Sequence, residues 1–535
     1  MSALRVLTIL FVLNALFIGL QLPGAGRLPW VALEALVLVG LFALIPSSRW
    51  SHRLAWVVGA AYATLTLLAI ASALLLQTLG RPLNLYLDAG LLQKSLNLMV
   101  TNLGIALTVL VGVLIVGWVI GAAWLVRTLL VRVMRRPPPL KHAWAVLGGA
   151  AVGLVLVPVN AVPVTLGGGE LLVRQITLAM ETHEATQTFD QRVGSPQAVD
   201  LQGGPVALDR LDGHDVMLGF IESYGVSTLT DPRYRDVLNK RLAAMDSAFA
   251  KAGLHVVSGR LRSPVQGGQS WLAHATLLSG LWVDSQLDYE ILLSSNYPTL
   301  IDDFRQTGHD AVAVMPAITK PWPEGRQLRY SRIYDAGRMG YTGPPLNWVT
   351  MPDQYTWSWF ERQVRKPAKG PVFAELALIS SHAPWVPILP VLDDWQRIGS
   401  GEVFESWRDA GETPASLWRD PERVRQHYIQ AVDYALAVAA DYAVRHLDDN
   451  ALLVLLGDHQ AAPLVTGDNT SRDVPVHLIS GNLELLEPFV ATGDTILPGF
   501  RRGIRPDVTS AAAGMDAFRP FLHQHFATHI STTSR

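Results

Sequence analysis

The first third of the chain alternates long apolar stretches with short charged loops. A helix crosses bilayer hydrocarbon with about 20 apolar residues, and five stretches come close to or exceed that length: 5–22, 29–46, 54–79, 104–126 and 143–162. One such stretch would also fit a buried helix of a soluble protein, but five in succession predict a five-helix transmembrane domain over residues 1–165. A cleaved signal peptide is the weaker alternative for the first stretch, because no small-residue cleavage site follows it.

Basic residues collect in alternate loops of this region. Arg5 precedes the first stretch, Arg49 and Arg53 lie before the third, and the loop 127–141 carries five Lys or Arg side chains. The intervening loops hold few. Since short loops rich in Lys and Arg stay in the cytoplasm, the pattern predicts a cytoplasmic amino terminus and an extracytoplasmic position for everything after the fifth stretch.

The hydrophobic period changes after the last apolar stretch. Residues 170–190 form an amphipathic helical pattern, which predicts a linker over residues 166–208. From 209 to 530, short apolar runs alternate with helical stretches such as 231–252 and 420–447. That alternation predicts an α/β domain with a largely parallel sheet.

Composition narrows the possible functions. Only 16% of the residues are charged, against about 25% in soluble domains. The net charge of −2 gives no basic field for nucleic acid. Cysteine is absent, which excludes disulfides, thiolate nucleophiles and cysteine metal sites.

Two buried-strand patterns end in side chains that bind metals. The run 216–221 leads directly into Glu222, and the run 452–457 leads into Asp458 and His459. The carboxyl ends of parallel strands share one edge of a sheet, where α/β proteins place their ligands, so these side chains predict one metal site. The alternatives are a helix-start carboxylate for Glu222 and an ordinary strand-end turn for the Asp-His pair.

A hydroxyl lies between these two motifs in chain order. Gly267 and Gly268 precede Ser270 at a predicted junction of loop and helix. Glycines let backbone approach a ligand closely, and a helix amino terminus favours an anion. Ser270 is therefore a candidate nucleophile for a phosphorus atom; the alternative is a helix N-cap serine.

The register after Ser270 resembles the signature of the alkaline phosphatase and sulfatase superfamily. That signature has an arginine four positions after its nucleophile and then an apolar–Thr–Gly ending. Here the corresponding residues are His274, then Leu278, Ser279 and Gly280. Ser270 stands where sulfatases carry the cysteine that matures to formylglycine, which argues against sulfate-ester hydrolysis by that route.

The closer resemblance is to lipoteichoic acid synthase-like phosphoglycerol transferases and phosphoethanolamine transferases. Those enzymes also have five spans, a helical linker and an extracytoplasmic sulfatase-like domain. They carry a glutamate where Glu222 stands, a hydroxyl nucleophile, usually threonine, at Ser270, an Asp-His pair at Asp458 and His459, and a histidine after a strand, here His382. Phosphoethanolamine transferases often carry a further histidine where Asp473 stands here, with His477 displaced, so the resemblance predicts a single metal.

The resemblance implies a bacterial inner-membrane enzyme with a periplasmic catalytic domain. A divalent metal, Mn²⁺ by resemblance with Zn²⁺ or Mg²⁺ also fitting, would be held by Glu222, Ser270, Asp458 and His459. His382 would bind the phosphoryl oxygen or protonate the leaving group. The enzyme would move a phosphoglycerol-type head group from a phospholipid donor to an extracytoplasmic glycan or lipid acceptor through a phospho-serine intermediate.

Substrate contacts are expected at His274 and in the segment 329–357. This segment is rich in Arg, Tyr and Trp, and it supplies Arg332, Trp348 and Asp353. Arginine and aromatic clusters hold phosphate, glycerol or sugar, although they also serve as ordinary packing. The alternative functions are a phosphoethanolamine transferase, a metal-dependent phosphodiesterase or sulfatase-like hydrolase, and a catalytically silent lipid-binding membrane protein.

Overall fold

The computed structural model describes the residues 3–20, 30–79, 83–88, 91–156, 164–194, 204–468, 470–490 and 496–528. Its contacts divide the chain into two compact units. The first comprises residues 1–77 with 81–186, and the second comprises 78–80 with 187–535. The main division therefore falls within the predicted linker.

The first unit is built mainly from apolar helices, and the last helix below is amphipathic and continues past the division at residue 186. Their bounds are α1 (Ala3–Gly19), α2 (Leu33–Leu44), α3 (Arg49–Leu79), α4 (Leu85–Asp88), α5 (Leu91–Arg135), α6 (Leu140–Leu156) and α7 (Gly167–Gly194). Two short strands, β1 (Val31–Ala32) and β2 (Val164–Thr165), pair in parallel. The backbone of α5 is non-helical at Gly104, with φ 76°, which is where the fourth apolar stretch was predicted to begin.

Within the described ranges, two helices are long and apolar enough to cross a membrane, Arg49–Leu76 and Gly104–Arg135. Shorter apolar helices at Leu4–Gly19, Leu33–Leu44 and Leu140–Val155 coincide with the other three predicted stretches. Each of those three stretches extends into residues outside the described ranges. The count of five spans therefore stays a prediction.

The predicted linker helix corresponds to α7, and its amino end is held by a carboxylate. Glu34 Oε1 accepts hydrogen bonds from the backbone N–H groups of Gly168, at 2.8 Å, and Gly169, at 3.3 Å. Because the first N–H groups of a helix have no partner within the helix, Glu34 satisfies two of them and ties α7 to α2.

The second unit alternates strands and helices. The helices are α8 (Ser227–Thr230), α9 (Arg235–Ala252), α10 (Ser270–Ser279), α11 (Gln286–Ser294), α12 (Leu300–Gln306), α13 (Pro323–Gln327), α14 (Asp353–Phe360), α15 (Pro414–Leu417), α16 (Pro421–His446), α17 (Pro463–Thr466) and α18 (Phe518–Phe526). The strands are β3 (Asp215–Ile221), β4 (His255–Arg262), β5 (Asp310–Met315), β6 (Arg332–Asp335), β7 (Val372–Leu378), β8 (Ala451–Gly457), β9 (Asp473–Ser480), β10 (Arg501–Arg502) and β11 (Ala513–Gly514). The two long predicted helices, 231–252 and 420–447, are confirmed as α9 and α16.

In the described part of the chain, nine strands form one sheet in the order β10-β4-β9-β8-β3-β7-β5-β6, with β11 beside β4. Strands β8, β3, β7, β5 and β6 run parallel to one another. Strand β9 runs antiparallel to β8 and β4. The prediction of a largely parallel sheet is confirmed.

The two faces of the sheet are covered by different helices. Met217 and Ile221 of β3 pack in one core with residues of α9 and α16. Leu218 and Phe220 pack in the other with residues of α10 and α18. Because side chains alternate between the faces of a strand, Glu222, two residues after Phe220, emerges on the side of α10.

Candidate active site

The strand pairing brings the predicted metal ligands together. Ile221 at the end of β3 is in register with Gly457 at the end of β8, so Glu222 and Asp458 follow at the same edge of the sheet. Potential ligand atoms of Glu222, Asp458 and His459 all lie within 4.8 Å of one another, and they form the single group of this kind in the described residues.

Backbone N–H groups hold Asp458 in place. Its Oδ1 accepts from the N–H of Ser223 at 2.8 Å and from the N–H of His459 at 2.7 Å. Ser223 adopts a left-handed backbone with φ 59°, and its hydroxyl donates to Glu222 Oε1 at 2.9 Å. One turn after β3 thus fixes both carboxylates.

A backbone carbonyl orients the imidazole of His459. Its Nδ1 lies 2.9 Å from the backbone carbonyl of Gln460, so the N–H belongs there and Nε2 carries the lone pair. Nε2 lies 3.4 Å from Glu222 Oε1 and 3.7 Å from Asp458 Oδ2. His459 is therefore set as a ligand among carboxylate oxygens.

Ser270 completes the cluster. It is the first residue of α10, after Gly267, Gly268 and Gln269, which all have positive φ. Its Oγ lies 3.2 Å from Glu222 Oε2 and 3.2 Å from His459 Nε2. The N-cap position belongs to Gln269, so the alternative of Ser270 as a capping serine is wrong.

The electrostatics of the cluster favour a bound cation. Burial and the neighbouring charge of Glu222 raise the pKa of Asp458. Burial also opposes the ionisation of Glu222, but positive charge on His459 and His382, when these rings are protonated, outweighs burial and lowers the pKa of Glu222. Two buried carboxylates this close need a proton or a cation between them. The donor set of carboxylates, a hydroxyl and one imidazole fits a divalent metal of the hard or borderline kind.

His382 lies on the loop after β7, and this loop is tied to the acid cluster. The hydroxyl of Ser381 donates to the backbone carbonyl of Glu222 at 2.7 Å. The Nδ1 of His382 lies 2.6 Å from the carbonyl of Ala383, which leaves Nε2 for other partners. The ring stacks on half-exposed Trp348, with centroids 5.8 Å apart. The structure thus brings two predicted site residues, His382 and Trp348, together beside Glu222.

His274 is largely buried beside the cluster, with 13% of its side chain exposed. Its ring stacks on Phe220 with centroids 3.7 Å apart, and its Nδ1 lies 2.5 Å from Glu375 Oε1 in β7. It stands one helical turn after Ser270, and a positive charge on it is near enough to lower the pKa of Asp458. Direct contact of His274 with substrate stays a prediction.

The sequence matches no protein-family model and no curated protein. Among solved structures, the chain is similar to the lipooligosaccharide phosphoethanolamine transferase A (EptA) of Neisseria meningitidis, with 13% identity and a TM-score of 0.48 over 100% of this chain and 97% of that chain. It is also similar to the lipoteichoic acid synthase LtaP of Listeria monocytogenes, with 13% identity and a TM-score of 0.35 over 53% and 70% of the two chains. The third similar structure is the Streptococcus pyogenes phosphoglycerol transferase GacH, with 12% identity and a TM-score of 0.36 over 55% of this chain and 74% of that chain.

These proteins represent the two classes that the motifs resemble. Identities of 12–13% and TM-scores below 0.5 assign neither an activity nor a residue role to this chain. An activity and residue roles for this chain are therefore argued from the positions of its own side chains.

Two predicted substrate contacts are corrected by the structure. Arg332 lies at the amino end of β6 and pairs with Asp310 at the amino end of β5, at the edge of the sheet opposite the cluster. Asp353 is fully buried, and its Oδ1 accepts from the backbone N–H groups of Ile379, at 2.8 Å, and Ser380, at 2.9 Å. Asp353 therefore anchors the loop that carries His382 and does not face a substrate.

The residues considered for a second metal are engaged elsewhere. Asp473 pairs with Arg260 at 2.6 Å. His477 is buried between Tyr224, at 3.0 Å, and Ser258, at 2.8 Å, and burial lowers its pKa to about 3. Both residues therefore have protein partners here, and the number of metals stays a prediction.

Sequence reasoning missed Glu375 and Ser381. Glu375 carried a visible signal, because it is an acid within the otherwise apolar strand β7. Ser381 carried none, since its role depends on a hydrogen bond to the backbone of a distant turn.

Proposed function

We propose that this chain is a membrane-anchored, metal-dependent transferase. It moves a phosphoglycerol-type head group from a phospholipid donor to an extracytoplasmic glycan or lipid acceptor through a phospho-serine intermediate. The observation that carries this proposal is the position of Ser270 Oγ, 3.2 Å from both Glu222 Oε2 and His459 Nε2, at the amino end of a helix. A hydroxyl placed there can share a metal with the cluster and attack a phosphorus atom that the helix end helps to hold.

The metal would be held by Glu222, Asp458, His459 and the Ser270 oxygen. When bound, a divalent cation supplies positive charge that lowers the pKa of the hydroxyl and offsets the charge of the phosphate. Three oxygen donors and one nitrogen suit Mn²⁺, Zn²⁺ or Mg²⁺, and the sequence resemblance favours Mn²⁺.

In the first half-reaction, Ser270 Oγ forms a bond to the phosphorus of the donor, and the bond from phosphorus to the diacylglycerol oxygen breaks. The hydroxyl proton of Ser270 leaves through Glu222 Oε2, to which it is hydrogen-bonded. His382 begins the step as an imidazolium whose Nδ1–H is donated to the carbonyl of Ala383, and it gives the proton of Nε2 to the departing diacylglycerol oxygen.

In the second half-reaction, an acceptor hydroxyl attacks the same phosphorus atom and gives its proton to His382 Nε2. The bond between phosphorus and Ser270 Oγ breaks, and Ser270 Oγ takes back from Glu222 Oε2 the proton that it released in the first half-reaction. Each group returns to its starting state, because the acid of the first step acts as the base of the second.

The apolar helices of the first unit support a lipid donor. An enzyme anchored by membrane spans meets phospholipid at high local concentration, and its catalytic unit needs no separate device to find the bilayer. The exposed ring of Trp348 beside His382 offers an aromatic surface to a glycerol or sugar.

Turnover of defined lipids tests the proposal. Full-length protein in lipid nanodiscs with Mn²⁺ is given phosphatidylglycerol or phosphatidylethanolamine with a labelled head group, with and without a glucan acceptor. We expect diacylglycerol release and labelled glucan from phosphatidylglycerol. If head group is transferred only from phosphatidylethanolamine, the enzyme is a phosphoethanolamine transferase and not a phosphoglycerol transferase. If free head group is released even when the acceptor is present, the enzyme is a hydrolase.

The Ser270→Ala variant in the same assay removes the nucleophile, and Ser285→Ala is its matched control. Ser285 is a true N-cap, whose side chain accepts from the backbone N–H of Asp288 at 3.1 Å, and its loss costs about 1 kcal/mol of stability without touching the cluster. We expect no turnover from Ser270→Ala and wild-type turnover from Ser285→Ala.

A further inference from the structure

Glu375 is a buried acid whose place in the core is not explained by packing. It lies in the middle of β7, opposite Leu218 of β3 and Ala313 of β5, and its side chain is 1% exposed. A carboxylate in an apolar sheet is costly unless it is paired and hydrogen-bonded. The cost of burying Glu375 therefore directs attention to the groups that its carboxylate contacts.

Both oxygens of Glu375 have a partner. Oε1 lies 2.5 Å from Nδ1 of His274, and Oε2 accepts from the hydroxyl of Tyr330. Burial and the charge of Glu375 raise the pKa of Tyr330 well above its ordinary range, so Tyr330 keeps its proton and acts as a donor. The three side chains form one chain of hydrogen bonds that ends at the imidazole.

The ring of His274 is thereby fixed in two ways. Glu375 holds it in its plane through Nδ1, and Phe220 supports its face with an interplanar angle of 14°. Phe220 lies two residues before Glu222, and His274 lies one helical turn after Ser270. The side chain is 13% exposed, and Nε2 is its second polar atom.

We propose that Glu375 is a positioning residue that, together with Tyr330, fixes His274 so that its imidazolium form donates a hydrogen bond from Nε2 to a non-bridging oxygen of the phosphate in transfer. The inference rests on the proposed function for its substrate class, a phosphoglycerol-type diester. Glu375 acts through His274 and touches neither the phosphate nor the metal. Its effect on substrate must therefore depend on the presence of the imidazole.

A double-mutant cycle tests this dependence. The variants Glu375→Gln, His274→Ala and the combination are compared with wild type as full-length protein in nanodiscs, by kcat/KM on phosphatidylglycerol. Removing the partner that orients a metal-ligating histidine typically costs roughly 10- to 100-fold, and we expect a loss of similar size for Glu375→Gln when His274 is present. In the His274→Ala background we expect a change below about twofold, the scatter of independent sites.

A second variant and a control separate positioning from stability. Tyr330→Phe removes only the hydroxyl, and its loss of kcat/KM should also vanish without His274. Glu361→Gln alters another buried acid, which accepts from the Tyr442 hydroxyl at 2.8 Å and packs on the other face of the sheet. We expect Glu361→Gln to change kcat/KM by the same factor in wild type and in the His274→Ala variant. Equal losses for Glu375→Gln and Tyr330→Phe in both backgrounds would overturn the inference.

Binding measured without turnover distinguishes this inference from the proposed function. Calorimetric titration of glycerol phosphate into the Mn²⁺-loaded full chain is run on wild type and on the three variants of the double-mutant cycle. Coupled losses of affinity in a protein that turns over no phospholipid would support the positioning role and reject the transferase. Turnover of phosphatidylglycerol with additive effects in both kinetics and binding would support the transferase and reject the positioning role.

Discussion

Asp353 offers a prediction whose size follows from the structure. Burial raises the pKa of this carboxyl to about 6, although hydrogen bonds from Ser380 and Ile379 act in the opposite direction. Its Oδ2 is buried with no hydrogen-bond partner. The value lies about two pH units above that of an exposed aspartate, and each unit corresponds to about 1.4 kcal/mol. Ionised Asp353 therefore costs the folded state about 3 kcal/mol at neutral pH.

The sign of the pH dependence follows from the direction of the shift. Because the folded state binds this proton more tightly than the unfolded state, the contribution is fully present below about pH 4 and is lost as the pH rises through about 6. Asp353→Asn keeps an oxygen that accepts from Ile379 and Ser380 but has no charge. The Asp353→Asn variant should therefore not lose stability as the pH rises through about 6. The Asp353→Ala variant leaves two buried N–H groups without a partner, so it should be less stable than wild type at every pH.

Thermal unfolding of the full-length variants at about pH 4.5 and about pH 7.5 measures the effect. We expect the melting temperature of Asp353→Asn, relative to wild type, to rise by about 5 °C between the two conditions. The KM for phospholipid should stay at the wild-type value, since Asp353 does not face substrate. A pH-independent difference would refute the reasoning on burial, and a raised KM with unchanged stability would restore Asp353 as a substrate contact.

Three further predictions concern the metal, the acid and the membrane. Asp458→Asn should lose most bound Mn²⁺ by elemental analysis, while Asp473→Asn, in an ion pair away from the cluster, keeps it; equal metal in both contradicts the ligand set. His382→Gln should lower kcat by roughly 100-fold or more with metal retained, and His427→Gln, another histidine that contacts a backbone carbonyl, should not. A periplasm-dependent reporter should be active at the carboxyl terminus and silent in loop 127–141; the reverse pattern excludes the proposed topology.

The acid cluster was predictable because its geometry follows from strand period and strand ends. Glu222 and Asp458 each follow an apolar run, and parallel neighbours must end at one edge of the sheet. Ser270 was predictable from Gly267 and Gly268, whose φ values of 74° and 145° are ones that other residues rarely adopt. These features depend on local chemistry, which a sequence displays.

Arg332 and Asp353 were mispredicted because their placement depends on long-range register. The segment 329–357 has the composition of a binding surface, but the pairing of Val312 with Arg332 sets Arg332 at the amino edge. Aspartate is usually exposed, but Asp353 is buried because its carboxylate accepts hydrogen bonds from backbone N–H groups of the loop after β7. Neither the strand order nor that loop closure is visible in the sequence.

The central claim is that Ser270 carries the phospho-head-group during transfer. The direct measurement is mass spectrometry of the peptide containing Ser270 after acid quench of full-length, Mn²⁺-loaded protein with phosphatidylglycerol and no acceptor. We expect the mass of a phosphoglycerol adduct on Ser270, no adduct in Ser270→Ala, and an adduct with slower turnover in Ser270→Thr, because threonine keeps the hydroxyl. Loss of the adduct on adding acceptor would show that it lies on the pathway. Wild-type turnover by Ser270→Ala, or a modified residue elsewhere, would contradict the account.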